Sequence, residues 1–418
     1  MAAKILLLGS YNGQDSLGDK CLLKAVIRRC RDTFGSDVHL VTHVVDTAEL
    51  ARPLAPLGIE ARHGVQTYFW KWEAWLSRFI RSKAMLRRMT WATFSRFGRF
   101  LMRMRPGSRR ALQDVEEAEG IVIYGGTNFS RQWWWLQNPP YTLCRRWSGA
   151  PVFLAPQQYG PMDPDQLQGF REGLLNHATG VLCRNPDDLK LLGLENRPEL
   201  LVRDEVFSNT DQYPAPAEAA RPWAERDPVL LVNMRFSRDF LFEGDTTVLD
   251  RFCDVVGGVA GKLGLTPKLF CMSSWRFADD LAGREHLEKR LNSGKRLEVL
   301  PYTDEYDLIT AATRARGCIS MSFHGCILSM IGGCPSIPVT LGDYYDFKYC
   351  GFADYNPSRP IPLISLASPT TQKMIEPLVD YLQGYDGAAV QKERMRSGEI
   401  IQQAYRSFFE SVRRKVLA

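Results

Sequence analysis

Short apolar runs alternate along the chain with longer stretches in which apolar positions recur every three or four residues. This is the pattern of strands buried on both faces and the helices that cover them. Residues 5–8, 38–45, 121–124, 152–155 and 180–183 predict strands, and 19–31 predicts the first helix. At 208–228 the periodicity lapses into SNTDQYPAPAEAARPWAERDP, whose four prolines read as an exposed linker. The same grammar then restarts, with strands at 229–233, 268–272, 296–300, 318–321 and 336–340 and helices at 247–263, near Arg284, at 304–314 and at 324–331. The pattern therefore predicts an α/β protein of two Rossmann-like domains, 1–207 and 229–385, joined by the linker 208–228 and followed by a C-terminal helix, 386–418.

Composition supports this division. With 418 residues, 45% hydrophobic and 24% charged positions, the chain has material for two or three domains and is neither disordered nor collagenous. The net charge of +6 conceals an uneven distribution. Between Trp70 and Arg110 stand twelve Lys/Arg against the single acid Glu73, so this insert carries +11 and the rest of the chain −5 (+6 minus +11). A dispersed basic face for nucleic acid is thereby excluded. Phe94, Phe97, Leu101 and Met104 fall on one helical face of the insert, and Arg96, Arg99 and Arg103 on another. Such a segment suits an anionic membrane surface, a solvated helix pair or, with no recognisable module, RNA.

The apolar run before Gly9 is too short for a signal peptide, and no stretch of about 18 uncharged apolar residues occurs. A cytoplasmic chain is expected, with peripheral docking at the inner face of the cell membrane following if the insert takes the first of its three readings. Ten scattered cysteines without a C-x-x-C pair read as core thiols rather than metal ligands.

Candidate chemistry lies in the loops after strands. In the first, glycines 13 and 18 have P-loop spacing, but Asp19 and Lys20 follow where Lys and Ser/Thr are required, so no triphosphate cradle is expected. Asp19 then either caps the helix or faces a ligand. Gly125, Gly126 and Asn128 follow the strand 121–124, and Gln158 follows 152–155. Arg184 and Arg235 stand at two further strand ends, where guanidinium forks suit carboxylate or phosphate. In Ser322-Phe-His324-Gly325 a histidine meets a helix N-terminus, a setting that favours anions.

Taken in order, these residues resemble the polysaccharide pyruvyl transferase family. The resemblance runs from about Lys4 to Phe352 through Gly18-Asp19, Gly125-Gly126, Gln158-Tyr159-Gly160-Pro161, Arg184-Asn185, Asp204, Arg235, Ser322-Phe-His-Gly325, Gly333-Cys-Pro335 and Lys348. It departs from the family at Ser322, where many members carry arginine, and at Asn185, where an acid often stands. The resemblance implies a glycosyltransferase B-like arrangement and a transferase moving the enolpyruvyl unit of phosphoenolpyruvate onto a glycan sugar as a ketal. No further cofactor and no metal are implied. Under it His324 moves the proton, Asp19 activates the sugar hydroxyl, and Arg235 and Lys348 hold the donor's anionic groups. Gly18, Gly125, Gly126, Asn128, Gln158, Arg184, Ser322 and Gly325 complete the substrate site. A nucleotide-sugar glycosyltransferase would use the same frame and loops. A non-catalytic partner in glycan assembly is the third reading.

Overall fold

The computed structural model describes residues 3–9, 16–44, 57–235, 246–273, 280–281, 283–291, 296–301, 304–368 and 371–417; Gly13 lies outside them. The chain forms two compact α/β units. One holds residues 1–14, 22–205 and 399–418, the other 15–21 and 206–398.

The first unit is built from β1 (Lys4–Gly9), α1 (Leu17–Phe34), β2 (His39–Val44), β3 (Glu60–His63), α2 (Val65–Leu76), α3 (Lys83–Arg103) and α4 (Pro106–Glu116). It continues through β4 (Gly120–Tyr124), α5 (Trp134–Ser148), β5 (Val152–Gln157), α6 (Pro164–Gly173), β6 (Ala178–Cys183), α7 (Pro186–Leu192) and α8 (Glu205–Ser208). Its six strands are parallel in the order β3-β2-β1-β4-β5-β6. Central strands β1, β4 and β5 are apolar and buried along nearly their whole length, because helices cover both faces. Strand β3, Glu-Ala-Arg-His, was not legible in the hydrophobic pattern: it is a short edge strand with no buried position.

In the second unit, β7 (Asp227–Asn233), α9 (Thr247–Leu263), β8 (Thr266–Leu269), α10 (Arg284–Arg290), α11 (Glu305–Arg314) and β9 (Ala315–Ser320) follow one another. Then come α12 (Phe323–Ile331), β10 (Ser336–Thr340), α13 (Asp343–Tyr349), β11 (Ile364–Ser365), α14 (Ile375–Gln383) and α15 (Gly387–Leu417), which runs on into the first unit's residues. The sheet is parallel, in the order β8-β7-β9-β10-β11, a 2-1-3-4-5 arrangement. Its connections reverse direction between β7 and β9, and in open sheets of this kind ligands bind beyond the strands' carboxyl ends at that point. The strand expected at 296–300 does not form; Val299 makes a single bridge to Leu269. Residues 208–228 are more than an exposed connector: Tyr213 and Arg226 are buried, and the Arg226 guanidinium donates to Ala219 O at 2.8 Å.

The last turns of α15 cover the first sheet. Phe408 stacks on Phe153 of β5 and meets Phe34 of α1 edge-on, with centroids 5.6 and 6.1 Å away. Gly120 leaves room for it, since a Cβ there would lie 2.9 Å from the Phe408 ring. Phe408→Ala is expected to lower unfolding free energy by about 3–5 kcal/mol, the cost of removing a buried aromatic ring. Urea unfolding at constant slope measures it, and a wild-type midpoint would show that α15 is not part of this core.

Candidate functional site

The site is assembled in the second unit, where β7 and β9 part. Diverging strands leave backbone donors that water cannot reach, and each needs a partner. Asn233, the last residue of β7 and fully buried, supplies them. Its side-chain Oδ1 accepts from Ser322 N at 3.0 Å, and its side-chain Nδ2 donates to Phe270 O at 3.1 Å and to Asp280 Oδ2 at 2.8 Å. Asp280 Oδ2 also accepts from Met272 N and Ser273 N, at 2.5 and 3.1 Å. One amide thus ties the ends of β7, β8 and β9 together. Neither Asn233 nor Asp280 carried a sequence signal, because their pairing spans 47 residues.

On this base sits the turn read as Ser322-Phe-His-Gly. Ser322 is the N-cap of α12, its hydroxyl accepting from Gly325 N at 3.4 Å, while Ser320 Oγ accepts from Ser322 N at 3.0 Å. Gly325 admits no side chain, since a Cβ would press to 2.6 Å from Ser320 Oγ. His324 is buried in the first turn. Gly18 lies against its ring so closely that a Cβ there would overlap the imidazole. The backbone reaches this place because Leu17 N donates to Met272 O at 3.0 Å and Ser16 bridges Ser273. Asp19 follows directly in the first turn of α1.

Arg235, two residues beyond β7, is anchored by its backbone N–H on Met321 Sδ at 3.4 Å. Burial opposes its charge, but Asp280, Tyr345 and Asp19 outweigh burial and hold the guanidinium above its ordinary value. Lys348 of α13 places its ammonium 5.6 Å from the Phe323 ring centroid. Gly18, Asp19, Arg235, Ser322, His324, Gly325 and Lys348 therefore belong to one neighbourhood. It combines a helix N-terminus, two cations, a carboxylate and an imidazole, which suits an anionic ligand with a transferable proton nearby.

The remaining expected residues cluster in the first unit, where they are engaged with one another. Gly125 has φ 144°, a conformation that glycine adopts without strain. The Gly126 carbonyl accepts from Gln158 N and from Arg184, both at 3.0 Å. Asn128 donates to Tyr124 O at 2.7 Å, and Gln158 to Gly160 O at 2.7 Å. Arg184 is fully buried against Asp204 at 2.6 Å. Asn185, where the resemblance led to an acid, is the N-cap of α7 in a capping box with Asp188. Burial pushes the Asp188 carboxyl up to about 7, against the pull of Tyr159 N and Arg184.

No protein-family model and no curated protein sequence matches the chain. Solved structures do. Anabaena Alr3699/HepE in complex with UDP and glucose superposes with a TM-score of 0.51 at 11% identity, covering 99% of this chain and 98% of that one. The UDP-GlcNAc 2-epimerase of Neisseria meningitidis bound to UDP-GlcNAc gives 0.53 at 11% identity, covering 99% and 100%. Arabidopsis thaliana UGT89C1 with UDP-L-rhamnose gives 0.53 at 11% identity, again covering 99% and 100%. The fold is accordingly that of the glycosyltransferase B-like class, two parallel-sheet α/β domains.

These similarities correct the pyruvyl transferase reading and its phosphoenolpyruvate donor, since the ligands in the similar structures are UDP and UDP-sugars. The site gives a physical reason. Where the pyruvyl transferase pattern places an arginine to clamp the donor, Ser322 is buried and its hydroxyl caps α12.

Burial raises the Asp280 carboxyl to about 6, while Arg235 and its three donors pull it down. An unfolded aspartate titrates near 3.9. The folded value is the higher one, so the stabilising contribution is complete below about pH 4 and is lost as pH rises through about 6. Asp280→Asn is expected to flatten this decline. Urea unfolding of both proteins at pH 5 and 7.5 checks it; parallel declines would show that Asp280 does not titrate there.

Proposed function

We propose that the chain is a transferase of the glycosyl-transferring kind, taking a sugar from a nucleoside diphosphate sugar, with UDP as the nucleotide. The carrying observation is the α12 N-terminus with Arg235 beside it at the switch point of the second sheet. A diphosphate is favoured by the positive end of a helix dipole and by a delocalised cation, and the start of α12 with Arg235 supplies both. The ligands of the similarly folded proteins support the choice of UDP.

In the proposed reaction an acceptor hydroxyl oxygen of a glycan bonds to the sugar's anomeric carbon. The bond from that carbon to the diphosphate oxygen breaks, and the nucleoside diphosphate leaves with the electron pair. Arg235 and the positive end of the α12 dipole stabilise the charge that develops on the leaving oxygen. Lys348 serves the same anion from α13. Asp19 orients the acceptor hydroxyl and takes its proton, and His324, held in place by Gly18, lies over the leaving group as a hydrogen-bond donor.

Calorimetric titration with UDP and a panel of UDP-sugars, followed by an assay of UDP release with glycan acceptors, tests this. Arg235→Ala is expected to weaken UDP binding about 10- to 100-fold, the loss of a charged hydrogen-bonding partner. His324→Ala is expected to lower turnover about 100-fold or more with a smaller effect on binding. Absence of UDP binding by the folded wild-type protein would refute the proposal. Turnover that interconverts free UDP-sugars without any acceptor would replace transfer by epimerisation.

A further inference from the structure

The basic insert of the first unit exposes apolar side chains in a way that core packing does not require. Helix α3 uses one face for the core: Thr90, Phe94, Gly98 and Met102 are buried, with the Phe94 ring 5.4 Å from Phe69 and 6.1 Å from Trp147. At 100° per residue these four lie within about 120° of arc. The sequence grouping of Phe94 with Phe97, Leu101 and Met104 is therefore split, because Phe94 turns inward while Phe97 and Met104 are 58% and 65% exposed.

A second apolar stripe runs along the helix away from that face. Met85, Met89, Phe97, Phe100 and Met104 are all exposed, Phe100 at 62%. They too fall within about 120° of arc. Arg88, Arg96, Arg99 and Arg103 are exposed along one margin of this stripe, and Glu116 pairs with the last two only. At the end of α2, which packs on α3, Trp72 stacks on Trp75, and Trp75 meets Phe79, which is 71% exposed. Seven of the ten large hydrophobics exposed among the described residues thus lie between Trp75 and Met104, where the chain carries its positive charge.

We infer that this face of α2 and α3 docks on an anionic lipid bilayer surface. The apolar stripe enters the boundary between headgroups and acyl chains, and the arginine margin pairs with lipid phosphates. The charge selects the occupant. A stripe flanked by cations, within an insert of +11, complements a negatively charged interface, where methionine and aromatic side chains lose water while guanidinium groups stay among the headgroups. RNA would engage the arginines but would leave Met85, Met89 and Met104 in water.

Co-sedimentation of the full chain with phosphatidylglycerol/phosphatidylcholine vesicles and with pure phosphatidylcholine vesicles tests the inference without reference to catalysis. The wild type is expected to pellet with the anionic vesicles at least tenfold more strongly and to be released as salt is raised. Phe97→Ser combined with Phe100→Ser is expected to reduce binding about tenfold or more with an unchanged melting temperature, since both side chains are exposed. If that variant misfolds, Arg88→Glu combined with Arg96→Glu decides, and must lose binding to the same extent. Equal partition to both vesicle types overturns the inference, as does undiminished binding by a folded variant. So does tighter binding to single-stranded RNA that depends on the arginines and not on Phe97 and Phe100.

Discussion

The second unit depends on the bonding of one amide. Parallel strands that diverge at a switch point release backbone groups from the ladder in the least hydrated part of the sheet, and leaving them unpaired costs about 1–3 kcal/mol each. Asn233 meets this constraint from the end of β7. Only an amide offers both an acceptor for the β9–α12 turn and donors for the β8 side and Asp280. Asp280 then fixes Met272 and Ser273, whose backbones receive Ser16 and Leu17. The placement of Gly18 against His324 follows from that chain of bonds.

The two units solve the same problem with different consequences. In the first, the side chains beyond the strand ends close on each other: Arg184 is committed to Asp204 and Gly126, Asn128 to Tyr124, and Gln158 to Gly160. A buried ion pair of this kind is costly to break, because either partner alone is an uncompensated charge. In the second, Asn233 and Asp280 fix the backbone, Arg235 lies in the field of Asp280 and Asp19, and Lys348 stands against the Phe323 ring. Rigid backbone beneath with charge above is the condition for binding an anion without reorganisation.

Charge is divided along the chain in a manner the fold makes intelligible. Helix α3 is apolar on two sides for different reasons: one side completes the core around Phe69 and Trp147, and the other is left outside with its arginines. Among the described residues no helix is long and apolar enough to cross a membrane.

The sequence by itself determined the class of fold. Uninterrupted apolar runs such as 5–8, 121–124 and 152–155 have no stable place except strands covered on both faces, and the helices between them must cross over. It also marked Gly18, Asp19, Arg235 and His324, because residue type and position after strand ends are local properties, whereas Lys348 entered only through the family resemblance. Tertiary structure alone decided which of the marked residues share a site. Asn233 and Asp280 are ordinary letters until a fold places them 2.8 Å apart, and Arg184 reads as an anion clamp until Asp204 arrives. Ser322 departs from the family pattern in the sequence, and only the fold shows what it does there: its hydroxyl is a helix cap. The division has one cause: periodicity and backbone preference act within a few residues, whereas the partner that neutralises or completes a buried polar group is supplied from elsewhere in the chain.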